Sequence, residues 1–417
     1  MCNLRFYLLA FLMLFSLVHG STMVYVTSQN SQVAVLDADN NTFLTNFTPS
    51  IGSTTASTLT GVAISPDQTT AYIADNGNKG LWIINTSDNS TRAFVSLPAA
   101  SFPLEVNVTP DGSKVYISDF GAGIVYDMLT ANNSVSTISG GATKPAGLAF
   151  NPSGSKLYVT DDASANIFAY NTSNDSFITT IAGARSLFAA VNGAGIGYET
   201  DIASNLVYSF NTATDTPLGT IATSGTDLSG VAFTSDGTTA YVGSNGDNTL
   251  QVIVSGVPGS PISLTHPPFE VAINPVNNQQ VYLTANPAST VMVVENGSQV
   301  AAPDFDANLT SAFFLAYFQS SPSPSPSAPT SLVGKVIKDR FVLQTDIVHR
   351  LTWSASSSSN VVSYVISRNG VQIATIPADG KLRYDDHNRS PDEVDFYQVS
   401  AVDANGNQST PASVTVP

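Results

Sequence analysis

The sequence predicts an all-β chain, a seven-bladed β-propeller followed by a smaller β-sandwich. The first observation is a tyrosine-led segment that recurs at Tyr25, Tyr72, Tyr116, Tyr158, Tyr198, Tyr241 and Tyr282, with spacings of 47, 44, 42, 40, 43 and 41 residues. Units of about 40–45 residues, rich in short β-branched runs and turn residues, have the period of propeller blades. The second observation is "SSPSPSPSAP" after Gln319, a Ser/Pro run that cannot build a core and acts as an extended spacer. The third is the set of alternating strands beyond it. Together they divide the chain into residues 1–20 as a leader, 21–319 as propeller, 320–329 as linker and 330–417 as sandwich.

The leader "MCNLRFYLLAFLMLFSLVHG" has one positive charge, Arg5, an apolar run from Phe6 to Val18 and a small residue at Gly20. This is the pattern of a secretory signal peptide cleaved between Gly20 and Ser21, with a retained anchor as the alternative. No other segment is apolar for long enough to span a bilayer. The only cysteine, Cys2, lies in the leader, so the exported chain has no disulfide, thiolate nucleophile or cysteine-bound metal. The expected location is therefore secreted, periplasmic or cell-surface. Charge is uneven: residues 21–320 hold 6 Lys+Arg against 22 Asp+Glu, residues 321–417 hold 8 against 9. Such acidity argues against nucleic acid or an anionic membrane as partner and leaves protein, small-molecule and carbohydrate ligands open.

Each unit reads as four strands. In the second they are "GVAIS" (Gly61–Ser65), "AYIAD" (Ala71–Asp75), "LWIIN" (Leu81–Asn85) and "RAFVSL" (Arg92–Leu97). The links "PDQT", "PDGS", "PSGS" and "SDGT" between first and second strands are turn sequences. The chain starts on "MVYVTSQ", already a second strand, and ends its repeats on "AFFLAYF" (Ala312–Phe318), which lacks a following strand. Pairing the two closes the ring and hides two open edges.

The segments "YVTS", "YIAD", "YISD" and "YVTD" with neighbouring "VAISPDQ"-like runs resemble the Tyr-Val-Thr-Asn repeat family of bacterial surface-layer-like and periplasmic propellers. That resemblance covers about 300 residues and implies a surface or binding protein. The chain departs from it in using Asp where the motif has Asn. Residues 330–417, with "HRLTWSAS", "VVSYVISRNG" and "DFYQVSAVDANG", resemble a fibronectin type III module with Trp353 as core tryptophan and Tyr397 on the penultimate strand. Such modules are spacers or adhesion units.

Strand alternation predicts two channel-facing columns. One holds Gly61, Glu105, Gly147, Phe188, Gly230 and Glu270; the other holds Ala63, Asn107, Ala149, Ala190, Ala232 and Ala272. Against small neighbours, Glu105, Phe188 and Glu270 stand out as candidate ligand-binding residues. Lys144, Arg185, Asp227 and His266 lie just upstream in the same loops and are expected at the same mouth. Asp75, Asp119, Asp161 and Asp201 end four consecutive second strands, and form either an acidic rim for a cation or turn acceptors. In the second case a change to Asn is expected to be nearly silent.

Enzymatic motifs are missing: there is no Gly-x-Ser-x-Gly elbow, phosphate-binding glycine loop or His-Glu-x-x-His. With His266 the only propeller histidine, a multi-histidine metal centre is ruled out, and no cofactor is implied. "DADNNT" (Asp37–Thr42) imitates the start of a calcium loop but lacks its glycine and closing glutamate. The expectation is a non-enzymatic exported binding or scaffold propeller. The alternatives are a lactonase- or lyase-like enzyme using Glu105, His266 and Glu270, and a structural surface-layer component.

Overall fold

The computed structural model describes residues 20–98, 100–138, 140–285, 290–300, 309, 311–319, 326–341, 344–358, 361–403 and 408–417. The leader, apart from Gly20, lies outside them. The chain forms two compact units, Ser21–Ser321 and the described part of Pro322–Pro417.

Among the described residues the first unit holds seven antiparallel sheets of four strands, one of them carrying a short fifth. Within each sheet the strands follow chain order from innermost to outermost, as successive hairpins require. Sheet 1 is the exception. Its strands Thr22–Ser28, Val33–Asp37 and Thr42–Phe47 receive their innermost partner, Ala312–Gln319, from the other end of the unit. That strand pairs antiparallel with Thr22–Ser28, placing Tyr25 opposite Ala316.

The other innermost strands are Leu59–Ile64 (sheet 2), Pro103–Val108 (sheet 3), Pro145–Phe150 (sheet 4), Ala189–Val191 (sheet 5), Leu228–Phe233 (sheet 6) and Pro268–Ile273 (sheet 7). Each packs beside the next, and Ala312–Gln319 packs beside both Pro268–Ile273 and Leu59–Ile64, so the seven make a closed cycle. The architecture is of the β-propeller kind. Aliphatic and aromatic side chains fill the gaps between sheets, with Trp82, Tyr25, Tyr116, Tyr126, Tyr158 and Tyr282 wholly buried.

The recurring four-residue motif has one task per residue. In four of the seven sheets its tyrosine reaches the next sheet: Tyr116 donates to Asp175 Oδ1 (2.5 Å), Tyr158 to Asp215 Oδ1 (2.6 Å), Tyr282 to Asn41 Oδ1 (2.6 Å) and Tyr25 to Asn89. All four acceptors are the fourth residue of an outer hairpin loop, with φ between 51° and 59°. Asn and Asp tolerate that left-handed conformation, which explains the Asx-rich loops. "DADNNT" is one of these loops, with Asp37 Oδ1 accepting the N–H groups of Asp39 and Asn40. The second motif residue is aliphatic core in six sheets, and the third is a hydroxyl in five, Ala74 and Gly243 being the exceptions. Thr160 Oγ1 accepts from Gly147 N (2.8 Å) and donates to Ser186 O (3.1 Å) on the neighbouring sheet's approach. Thr284 relays in the same way from Glu270 N to Phe313 O.

The second unit pairs a three-stranded sheet (Thr330–Phe341, Gln344–Ser354, Arg383–Asp386) with a four-stranded one (Val361–Arg368, Val371–Pro377, Asp395–Asp403, Ala412–Val416). Trp353, Tyr364, Ile366, Tyr397, Val399 and Val416 share its core, with Trp353 and Tyr364 edge-to-face at 5.7 Å.

Candidate functional site

The register locates the channel column. Ala63, Asn107, Ala149, Ala190, Ala232 and Ala272 each oppose the motif tyrosine of their own sheet, as Ala316 opposes Tyr25. Two residues earlier on each strand the ring reads Phe314, Gly61, Glu105, Gly147, Phe188, Gly230 and Glu270. The glycines do more than leave space in a channel. A Cβ on Gly61 would meet Leu104 O at 2.6 Å and Glu105 Cα at 2.7 Å; on Gly147 it would meet Leu187 O and Ala189 N; on Gly230, Val271 N and Glu270 Cα. Each glycine admits the backbone of the neighbouring strand that carries a large residue.

Glu105 and Glu270 come from sheets 3 and 7, yet the charge of Glu270 acts on Glu105. Both keep some surface open to a water-sized sphere although protein surrounds them, as expected of side chains in an internal channel. Burial, and for Glu105 the facing Glu270 carboxylate, raise both carboxyls well above the usual range, against the opposing effect of the Leu148 N–H donated to Glu105 Oε2 at 3.1 Å. Glu270 Oε2 is buried and has no hydrogen-bond partner among the described residues. Beside the pair, Phe188 packs edge-to-face on Phe269 at 5.2 Å and against Phe314 at 6.1 Å, and Phe269 stacks on Phe313 at 4.8 Å.

The structure therefore brings Glu105 under the influence of Glu270, and Phe188 against Phe269, the residue before Glu270. The other loop residues have separate partners: Lys144 Nζ lies over the Phe120 ring at 5.1 Å, and Arg185 pairs with Asp162 at 3.0 Å. Asp227 is exposed at the entrance to its strand, and His266 Nδ1 contacts Thr265 Oγ1. No hydrogen bond or ion pair among the described residues joins these four to either glutamate. No group of three or more His, Cys, Asp or Glu among them is placed to hold a metal.

Three of the four rim aspartates are withdrawn from solvent, and Asp201 is partly exposed. Asp75, Asp119 and Asp161 are fully buried and clasp the loop entering the inner strand to the turn after the second. Asp161 Oδ2 accepts from Thr143 N (2.6 Å), while Oδ1 accepts from Lys144 N (3.2 Å) and Ala163 N (2.7 Å). Asp119 takes N–H groups from Ser101, Phe102, Gly121 and Ala122; Asp75 takes those of Ser57, Thr58 and Asn78 and the Trp82 indole. With both oxygens in use, the expectation that Asn is silent needs correcting. Asp161→Asn turns an NH2 group toward N–H donors and is expected to cost about 1–3 kcal/mol in a denaturant titration. A change below about 0.5 kcal/mol would contradict the clasp.

Asp201 differs, accepting only from Ala203 N and Ser204 Oγ in its own turn. Sheet 5 in fact breaks the motif at every position. The Tyr198 hydroxyl, like those of Tyr72 and Tyr241, makes no hydrogen bond among the described residues, and Thr200 Oγ1 is buried without a partner among them. Most unusual is Glu199, which sits where the other sheets have Val26, Ile73, Ile117, Val159, Val242 and Leu283. It is wholly buried, accepts from Ala184 N at 2.8 Å through Oε2 and leaves Oε1 without a partner. Burial pushes its carboxyl up to about 8. Gly183 makes the room: a Cβ there would lie 2.1 Å from Glu199 Oε2.

Neither a protein-family model nor a curated protein matches the chain. Among solved structures it is similar to the hydrazine synthase of Kuenenia stuttgartiensis, with TM-score 0.51 and 17% identity over 59% of this chain and 80% of that one. It is also similar to a functionally unknown protein from Desulfotomaculum acetoxidans, with TM-score 0.60 and 16% identity over 72% of this chain and 99% of that one. Likeness at these identities concerns the fold alone, and it fits an all-β chain of repeated four-stranded antiparallel sheets, the β-propeller architecture.

Proposed function

We propose that residues 21–319 form a seven-bladed propeller of the Tyr-Val-Thr-Asn repeat kind and that residues 330–417 form a fibronectin type III-like module. We further propose that the chain, exported through its leader, is a non-enzymatic binding or scaffold protein whose channel mouth takes a ligand or partner. The cycle of seven inner strands supports the first part, and the three-plus-four sheet pairing around Trp353 and Tyr397 supports the second. The observation that carries the binding reading is the Glu105–Glu270 pair. Two carboxyls in one channel, one with a buried oxygen lacking a partner, cost stability that a structural role would not retain. Held protonated, they offer O–H donors to a neutral polar ligand such as a carbohydrate; ionised, they attract a cation.

Thermal-shift screening of the full chain against neutral sugars, spermidine and divalent cations tests this, with Glu105→Gln/Glu270→Gln as control. A ligand at a hundredfold excess over its Kd is expected to stabilise the parent by about 2.7 kcal/mol and the double variant not at all. Equal stabilisation of both proteins, or of neither by any probe, would sink the reading.

A further inference from the structure

Tyr198, like Tyr72 and Tyr241, makes no hydroxyl hydrogen bond among the described residues, and at the seam after sheet 5 the residue that would accept it is missing from sheet 6. In the seams where the tyrosine bonds, the receiving sheet has an outer loop with the acceptor as its fourth residue, such as Thr172–Asp175 or Thr212–Asp215. Sheet 6 turns between its third and fourth strands on only two residues, Ser255 (φ 49°) and Gly256 (φ 81°), and carries no Asx there. Its outer strand is also reduced to Val257–Pro258 and Ile262–Ser263. The shortened loop leaves a cleft of about 360 Å³ between sheets 5 and 6. Ile196, Tyr198, Leu218, Ile221, Phe233 and Ile253 form its apolar lining. Tyr198 is 6% exposed, lies tilted against the Phe233 ring at 4.7 Å and is within reach of Gly256.

The stapled seams show what this place accepts. In each the tyrosine donates to a side-chain oxygen of Asn or Asp. Where that residue is Asp, a lysine two positions before the tyrosine balances it: Lys114 pairs with Asp175 at 2.5 Å and Lys156 with Asp215 at 2.6 Å. In sheet 5 the lysine position is Ile196, and no residue lining the cleft is charged. A carboxylate ligand would lie there without a counter-charge, whereas a neutral acceptor would satisfy Tyr198 at no such cost.

We propose that the cleft between sheets 5 and 6 is a binding site for a small, uncharged, largely apolar molecule bearing one carbonyl-type acceptor, which takes the place of the missing Asx side chain. The volume falls at the lower end of the range for small-molecule sites, and an apolar lining with a few placed polar groups is their usual composition; of the polar side chains beside Tyr198, those of Asn192, Ser209 and Thr238 are already bonded to neighbouring residues. This site is separate from the channel pair.

Benzamide, an amide acceptor on an apolar ring, is the probe, and benzoate its charged counterpart. In saturation-transfer NMR on the full chain, benzamide is expected to bind at millimolar concentration and benzoate at least about tenfold more weakly. Tyr198→Phe, which retains the ring on Phe233, is expected to weaken benzamide about tenfold, the effect of one lost hydrogen bond. Replacing Ser255-Gly256 by Thr-Ser-Asp-Asn, the loop sequence of sheet 2 with a neutral Asn as acceptor, should restore the intramolecular contact and abolish benzamide binding. Glu105→Gln/Glu270→Gln should leave it unchanged, which separates failure here from failure at the channel mouth. No benzamide binding, equal binding of benzoate, or binding indifferent to Tyr198→Phe would overturn the proposal.

Discussion

Glu199→Gln is expected to raise the unfolding free energy by about 3 kcal/mol at pH 7 and by about 5 kcal/mol at pH 9, while changing little at pH 4. The folded carboxyl titrates at about 8 and the unfolded one near its ordinary 4.5. Below pH 4.5 both states carry the proton. Between 4.5 and 8 the unfolded chain has released it and the folded chain has not, so stability falls by about 1.4 kcal/mol per pH unit and then levels off. Glutamine keeps an oxygen for the Ala184 N–H and has no charge to bury. The buried channel carboxyls impose a trend of the same sign, but both proteins contain them and the difference between the two curves isolates Glu199. Parallel curves of denaturant midpoint against pH would show that Glu199 is not the buried acid described here.

Ending the chain after Asn308 is expected to abolish cooperative folding of the first unit, whereas ending it after Ser320 should leave its thermal transition in place. The shorter form lacks the innermost strand of sheet 1, with Phe313, Phe314, Leu315 and Phe318 all buried and Phe318 at 4.5 Å from the Tyr25 ring. At about 1.5–3 kcal/mol per large side chain, that loss is about 6–12 kcal/mol, comparable to the whole stability of a domain. It also uncovers the pairing edges of Thr22–Ser28 and removes the Phe314 O and N–H partners of Thr27 Oγ1. Indistinguishable melting of the two truncations would mean that the strand does not close the cycle.

Much of this was legible in the sequence because the repeat is written at every level. Tyrosine spacing, alternation along the inner strands and turn residues agree with one another, and "AFFLAYF" announced itself as a strand without a hairpin partner. The channel pair was legible too, since two glutamates in a column otherwise small or aromatic violate the pattern. What the motif residues do was not legible. Spacing reveals that Tyr116 recurs but not that its hydroxyl reaches Asp175, because that contact depends on a left-handed loop residue in the next sheet. Glu199 was visible as the one acid in an aliphatic column, yet only burial shows that it lacks a partner. The strand Thr330–Phe341 escaped notice for the opposite reason: it lies at the edge of its sheet, mostly exposed, so no alternation of apolar and polar residues marks it.

The channel ring of Phe314, Gly61, Glu105, Gly147, Phe188, Gly230 and Glu270 has a consequence that is arithmetical. Large and small residues alternate around it, and each glycine gives way to the larger neighbour that follows. Two kinds of member can alternate without fault only around a loop of even number; an odd loop must contain one mismatch. Here it falls between Glu270 and Phe314, where the strand from the end of the unit meets the rest. The frustration belongs to parity rather than to either residue, so substituting one of them moves the fault around the ring, and only a change in the number of repeats would remove it.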